Sequence, residues 1–233
     1  MRSMVSGNIR FFFNDCFEEE VLHKIAAAIS KVSFPPREKP EKPDILEGRE
    51  KPAVLQIDDT VEVVIKQYLR GGILRHFVRE HYIHLGSFRP TAEYRILEFA
   101  SNAGVRVPEP VGYAVQGSLL YRAWLVTKKI PEPVNFIRLC RSQENRALAL
   151  MPFIMDNIRL LIENRIWHVD LHPGNILIDE NDRNHLIDFD KARIFSGSRT
   201  RLADKYCRRW ERAVKKYGLP ASLSARHHFH IFS

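Results

Sequence analysis

The chain has 233 residues, 45% hydrophobic and 27% charged, a balance typical of folded domains that excludes wholesale disorder and a membrane-embedded bundle. Its 36 Lys and Arg against 28 Asp and Glu leave a net charge of +8, which points to anionic partners without choosing among nucleotide, lipid head group and nucleic acid. The longest apolar run, Ala147 to Met155, is nine residues interrupted by Pro152, far short of the roughly 20 that cross a bilayer.

At the N-terminus, Phe11 to Phe13 run straight into Asn14 and Asp15 and lack the apolar region of a secretory signal, so a cytoplasmic compartment is expected. The apolar spacing over Glu18 to Val32 predicts a helix, and the prolines between Phe34 and Pro52 predict an extended connector. Between Ala53 and Tyr68, two β-branched runs flank Asp58-Asp59-Thr60, which predicts a hairpin with Lys66 in its second strand. Ile73 to Leu85 reads as a helix ended by Gly86. A further helix is expected from Ala92 to Asn102, capped by Thr91, with Glu93 in its first turn. VGYAV and LLYRAWLV around Gln116-Gly117-Ser118 read as a second strand pair, and Lys128 to Pro133 as a connector. Helices dominate beyond it, and Pro152 is expected in the first turn of one that turns Phe153, Ile154, Ile158, Leu161 and Ile162 inward. Cys16, Cys140 and Cys207 show no CxxC spacing and are read as reduced, inert thiols.

Residues 168–190 read HVDLHPGNILIDENDRNHLIDFD. A polar loop precedes a short apolar strand, a polar turn and a second apolar strand that ends in Asp188-Phe189-Asp190. A hairpin brings the residues before its first strand close to those after its second, so Asp170, Asn175 and Asp188 can face one site. Carboxylates and an amide carbonyl are hard oxygen ligands, suited to a Mg²⁺ ion that shares its remaining positions with water and phosphate oxygens. The turn acids Asp179, Glu180 and Asp182 are read as solvated surface.

These residues carry a resemblance. Asp170-x-x-x-x-Asn175 followed by Asp188-Phe189-Asp190 resembles the catalytic loop and metal motif of protein-kinase-like phosphotransferases, with Lys66 and Glu93 resembling their lysine–glutamate pair. More narrowly, IKQYLRGGILRHFVREHYIHLG, AEYRILEF, VPEPVGY, HVDLHPGNILID and LIDFDKARI, within roughly Gly48 to Trp210, resemble the lipopolysaccharide-core kinases, those acting on 3-deoxy-D-manno-octulosonic acid (Kdo) in particular. The resemblance implies an α+β, bilobal protein-kinase-like fold. Residues 1–130 would hold the N-terminal segment and a small β-rich, nucleotide-binding lobe, and 131–233 a mainly helical catalytic lobe. It implies transfer of phosphate from ATP, with Mg²⁺, to the 4-hydroxyl of a Kdo sugar on a lipid A precursor. The enzyme would act peripherally at the cytoplasmic face of the bacterial inner membrane. Asp170 would orient the acceptor hydroxyl and take its proton, Asn175 and Asp188 would hold the metal, and Lys66, positioned by Glu93, would neutralise phosphate charge. Asp190 stands where protein kinases have glycine, as in the lipopolysaccharide kinases. No glycine-rich loop precedes Lys66, where only Gly48 and the neighbouring Arg49 are available.

Other acceptors, a core heptose or a protein, fit the same motifs. A different arrangement is also open: His168-x-Asp170-x-His172 with Asp188 and Asp190 resembles a mixed metallohydrolase cluster, which requires both imidazoles to face the metal. Finally, eight basic residues against two acids between Arg199 and Lys216 account for +6 of the net charge. Leu202, Tyr206, Trp210, Ala213 and Tyr217 recur at helical spacing there, so the segment reads as an amphipathic helix whose basic face, including Arg208, Arg209 and Arg212, suits an anionic membrane surface. No nucleic-acid motif accompanies the charge, and nucleic acid is not an expected partner.

Overall fold

A computed structural model of the chain describes residues 1–15, 17–31, 53–57, 61–68, 82–83, 88–118 and 120–228. The chain divides into two compact units, Met1–Thr91 with Pro110–Lys129, and Ala92–Glu109 with Ile130–Ser233. Together they give a mixed α and β architecture.

The first unit is built on a seven-stranded antiparallel sheet. Strands β1 (Arg2–Ser6) and β2 (Ile9–Phe13) form a hairpin that sequence periodicity did not announce, because three consecutive phenylalanines hide the alternation. Gly7 makes its turn at φ +59°, a left-handed conformation that costs glycine little. Helix α1 (Glu19–Lys31), where a helix was expected over 18–32, opens with two acids that suit its positive N-terminal end. It lays Leu22, Ile25, Ala26 and Ile29 against Phe11, Phe13, Trp124 and Val126 of the sheet. β3 (Ala53–Gln56) and β4 (Glu62–Gln67) are the expected hairpin. β5 (Tyr82–Ile83) pairs with Leu120 and Tyr121, a correction at these two positions to the helix read over 73–85; residues 69–81 and 84–87 lie outside the described residues.

Helix α2 (Arg89–Asn102) spans the division between the units and begins three residues before the predicted start, so Thr91 lies inside it and Glu93 in its second turn. Strands β6 (Pro110–Gly117) and β7 (Leu120–Lys128) are the expected second pair. The sheet order is β1-β2-β6-β7-β4-β3. At Gly112, β6 passes close to β2: a Cβ there would sit 2.4 Å from the Phe12 carbonyl oxygen. Only glycine lets the two backbones approach so far.

The second unit packs helices around short strand pairs. β8 (Val134–Asn135) leads into α3 (Phe136–Ser142), capped by the Asn135 side chain. Cys140 of α3 is buried, and burial pushes its thiol up to about 12, which suppresses the reactive thiolate at neutral pH. α4 (Glu144–Glu163) is a continuous twenty-residue helix with Pro152 in its interior, a correction to the expected helix start. The apolar stripe already runs through Ala147, Leu150 and Met151 before the proline, so packing outweighs the one hydrogen bond that its ring removes. Phe153, expected inward, is 53% exposed, whereas Ile154, Ile158, Leu161 and Ile162 are buried. Asn157 of α4 is buried as well. It donates to Asn184 Oδ1 at 2.7 Å and accepts from the Arg106 amide at 2.8 Å, tying three segments together.

Beyond α4 come β9 (Ile166–Trp167), β10 (Ile176–Ile178), β11 (Asn184–Leu186) and β12 (Arg193–Ile194). β10 lies between β8 and β11, and β9 pairs with β12. Helix α5 (Arg199–Tyr217) is capped by Ser198 at its start and ended by Gly218 in a left-handed conformation. It buries Leu202, Tyr206, Trp210 and Ala213 as the spacing predicted, and the short α6 (Ala225–His228) follows it. No helix among the described residues is long and apolar enough to cross a membrane.

Candidate active site

The segment 168–192 is clamped at its ends, because β9 pairs with β12 through Ile166 with Ile194 and Trp167 with Arg193. Within the clamp, β10 pairs with β11 in a register that sets Ile176 opposite Leu186. The Ile187 amide accordingly donates to the Asn175 carbonyl at 3.0 Å, which puts Asn175 beside the residue preceding Asp188. Asn175 is buried, and its side-chain amide donates to the Asp170 carbonyl at 3.0 Å. That bond fixes which end of the amide is nitrogen and directs Oδ1 to the other side. The three expected residues of the second unit are thereby brought together, as the hairpin reading required.

His168 braces the arrangement from beneath. It is buried; its Nε2 lies 2.9 Å from the Ile187 carbonyl, to which it donates, and its ring meets Phe189 edge-on at 4.5 Å. Its backbone amide donates to the Tyr206 hydroxyl at 2.8 Å, and that hydroxyl donates to the Ile166 carbonyl at 2.7 Å. Asp188 is thus held between Ile187, tied to His168 and Asn175, and the fully buried Phe189. Its φ is +67°, a left-handed conformation that Asp adopts more readily than most residues and that Glu132, Arg165 and Asp182 share.

Tyr206 explains why α5 matters to this loop. Burial raises its phenol above the ordinary range, so it stays a neutral donor and acceptor. Replacing it with Phe strands the His168 amide and the Ile166 carbonyl, and a loss of about 1–3 kcal/mol is expected from unsatisfied buried groups. Denaturant unfolding measures it; an unchanged midpoint would show that water replaces the hydroxyl.

His172 is turned to the chain itself: its Nδ1 accepts from the Gly174 amide at 2.9 Å, capping the 3₁₀ turn Pro173–Asn175. His168 Nε2 and His172 Nδ1 are thus both engaged by the backbone of the loop. Among the described residues, no three His, Cys, Asp or Glu side chains are grouped to hold an ion. Asp190 is half-buried.

Lys66 stands on β4 opposite Leu125 of β7, with its ammonium 5.4 Å from the Tyr68 ring centroid, in the first unit. Glu93, 2% exposed on α2, belongs to the second. Gly48 and Arg49 lie outside the described residues.

Two side chains depart from the sequence reading. Asp179, expected as solvated surface, is buried at the hairpin turn, where its oxygens accept from the Asn181 and Arg183 amides at 2.9 Å and meet His185 Nε2 at 3.0 Å. Burial opposes its ionisation, but His185 and the two amides outweigh burial and hold the carboxyl below its ordinary value. A depressed folded-state pKa gives stability that is present above the unfolded value of about 4 and lost as pH falls through the lower folded value. Asp179→Asn is therefore expected to melt below the wild type at neutral pH, with the gap closing below about pH 4; a gap independent of pH would remove the charge from the explanation.

The second is Arg209. Counted with the outward basic face of α5, it is instead half-buried, and its Nη2 donates to Asp170 Oδ1. Arg208, Arg212, Lys215 and Lys216 remain exposed, while Lys205 lies over the Trp167 ring at 4.4 Å. Arg209 falls three residues after Tyr206, at the border of the apolar stripe, and that position was the signal available in the sequence.

Comparison with known proteins bears on the same stretch. The profile of the lipopolysaccharide kinase (Kdo/WaaP) family matches residues 41–221. A 3-deoxy-D-manno-octulosonic acid kinase of Vibrio parahaemolyticus is 32% identical over 138 residues, 58% of this chain and 58% of that protein. One from Vibrio cholerae is 30% identical over 183 residues, covering 76% of this chain and 77% of its own length. A third, from Haemophilus influenzae, is 28% identical over 78% of this chain and 82% of its own.

Proposed function

Because the chain belongs to the lipopolysaccharide kinase (Kdo/WaaP) family, we propose that it is an ATP-dependent kinase whose acceptor is the 4-hydroxyl of a Kdo residue on a lipid A precursor. The names of its relatives support the sugar; the site supports the chemistry. The observation that carries the reading is the register of β10 with β11, which sets Asn175 beside the left-handed Asp188 while the Asn175 amide anchors Asp170. In this reading the chain is a bilobal protein-kinase-like fold, with the nucleotide-binding lobe in 1–130 and the catalytic lobe in 131–233.

Asp170 would orient the acceptor hydroxyl and take its proton as the γ-phosphoryl group is transferred. Asn175 Oδ1 and the Asp188 carboxylate suit Mg²⁺: both are hard oxygens on adjacent backbone, few enough to leave most positions to water and phosphate. When bound, the ion would neutralise charge on the nucleotide phosphates. Lys66 would serve the phosphates from β4, with Glu93 as its positioning partner. The test is to incubate the protein with ATP, Mg²⁺ and a Kdo-bearing lipid A precursor, beside a heptose-bearing core and a generic protein. Phosphate is expected on the Kdo acceptor; labelling of the heptose or the protein instead would overturn the choice of acceptor.

The reading also places the enzyme peripherally on the anionic cytoplasmic face of the inner membrane, through the exposed cations of α5. Each Lys or Arg near such a surface contributes about 1 kcal/mol. Arg208→Gln with Arg212→Gln is therefore expected to weaken binding to anionic vesicles by roughly tenfold or more at low salt, and less at high salt. Unchanged partitioning in a sedimentation assay would make this face ordinary solvated surface.

A further inference from the structure

Asp170 does not meet solvent alone. Its Oδ1 accepts from Nη2 of Arg209, which arrives from α5, and the two side chains are 32% and 34% exposed. A pair this open contributes little to stability, so it can be exchanged for another partner at small cost. The guanidinium is also incompletely satisfied, because its Nε is buried and has no hydrogen-bond partner among the described residues. A buried donor without an acceptor is a standing penalty. Burial first, and then the neighbouring Arg212, pull Arg209 below the ordinary arginine value, with Tyr217 acting the other way. This end of α5 is therefore short of negative charge, and the Tyr217 ring lies 5.7 Å from that of His172 at the rim of the same loop.

We propose that Arg209 is the residue that recognises the carboxylate of an anionic sugar acceptor, exchanging Asp170 for that carboxylate when the acceptor binds. The inference rests on the kinase reading for Asp170. A guanidinium presents a planar fork that matches two carboxylate oxygens, which the single bond to Asp170 leaves half used. The exchange has a second effect. While Arg209 donates to Oδ1, it competes with the sugar hydroxyl for that oxygen; once the acceptor carboxylate takes Arg209, the hydroxyl has one competitor fewer. Arg209 thereby ties recognition of a sugar acid to the readiness of the residue that takes the proton, and a neutral hexose lacks the group that makes the exchange.

The experiment compares two acceptors, the Kdo-bearing lipid A precursor and the same molecule with the Kdo carboxylate converted to its methyl ester. Each is assayed with the wild type, Arg209→Gln and Arg209→Lys, with ATP and Mg²⁺ saturating, and each acceptor's binding is measured in parallel. The wild type is expected to favour the acid over the ester by roughly 10- to 100-fold in KM, the range of a charge-assisted pair. Arg209→Gln is expected to treat both alike at the ester's KM, with KM for ATP unchanged, and Arg209→Lys to recover part of the preference. Arg209→Gln that keeps the wild-type preference, or a wild type that has none, would overturn the assignment and leave Arg209 a structural ion pair. Thermal melting of each variant separates these outcomes from misfolding, against which Arg209→Lys is the safeguard. A wild type that transfers phosphate to neither acceptor, yet binds the acid over the ester only when Arg209 is present, would sink the kinase reading and keep the Arg209 assignment. Equal transfer to both would do the reverse.

Discussion

On the role proposed for Asp170, Asp170→Asn is expected to lower phosphate transfer to the acceptor by about 10²- to 10⁴-fold in kcat, the contribution of a positioned general base, while affinity for ATP is expected to stay close to the wild-type value. The separation follows from which atoms of Asp170 do what. Its backbone carbonyl, not its carboxylate, receives the Asn175 side chain, so the substitution leaves Asn175 and the hairpin to Asp188 in place. The amide is nearly isosteric but cannot take a proton from the acceptor hydroxyl. The pairing of Arg209 with Oδ1 is weakened, but both side chains are about a third exposed and the cost in stability is small. Single-turnover kinetics beside equilibrium binding of a non-hydrolysable nucleotide separate the two effects. Undiminished turnover would take Asp170 out of the mechanism, and an equal loss of nucleotide affinity would make it a binding residue.

Trp210→Ala is expected to produce the largest loss of stability, about 3–5 kcal/mol, as for other large aromatic truncations in cores. Trp210 is 1% exposed, and its indole Nε1 donates to the Leu223 carbonyl at 2.8 Å, so truncation opens a cavity and strands a buried acceptor. For a chain of this length each kcal/mol moves the melting temperature by about 2–4 °C, which puts the expected drop at roughly 6–20 °C by calorimetry. Because α5 also carries Tyr206 and Arg209, activity should fall at temperatures where the wild type is still fully active. A drop under 3 °C would mean that the packing of α5 against the chain beyond it contributes little.

The parts of the molecule that could be read from the sequence are those whose periodicity matches one element and whose ends are marked. The 176–186 hairpin has two short apolar runs around a polar turn, and that pattern is enough to predict that Asn175 and Asp188 lie near one another. Helix α5 was equally plain from the spacing of Leu202, Tyr206, Trp210 and Ala213, and Ser198 and Gly218 mark its ends in the structure. Where reading failed, a local rule was outweighed by burial. Pro152 looked like a first-turn proline, but the core continues on its N-terminal side. Asp179 looked like a turn acid in water, yet it is the hub that holds the turn. Arg209 could not be assigned from its own helix, because its partner lies 39 residues away in a loop. Helical spacing tells which side a residue is on, not what its side chain reaches.

The hairpin at the start of the chain carries a cost during synthesis. β2 emerges from the ribosome early, but its second neighbour in the sheet is β6, 107 residues later at the Arg10–Gly117 contact. Helix α1, which covers Phe11 and Phe13, follows β2 directly in the chain; at about 5–20 residues per second, it is the open backbone edge of β2 that waits roughly 5–20 s for β6. For that interval it is an open strand edge on a growing chain, the kind of template that pairs with other chains. Gly112, where β6 must come within a backbone's width of Phe12, is the residue on which the wait ends.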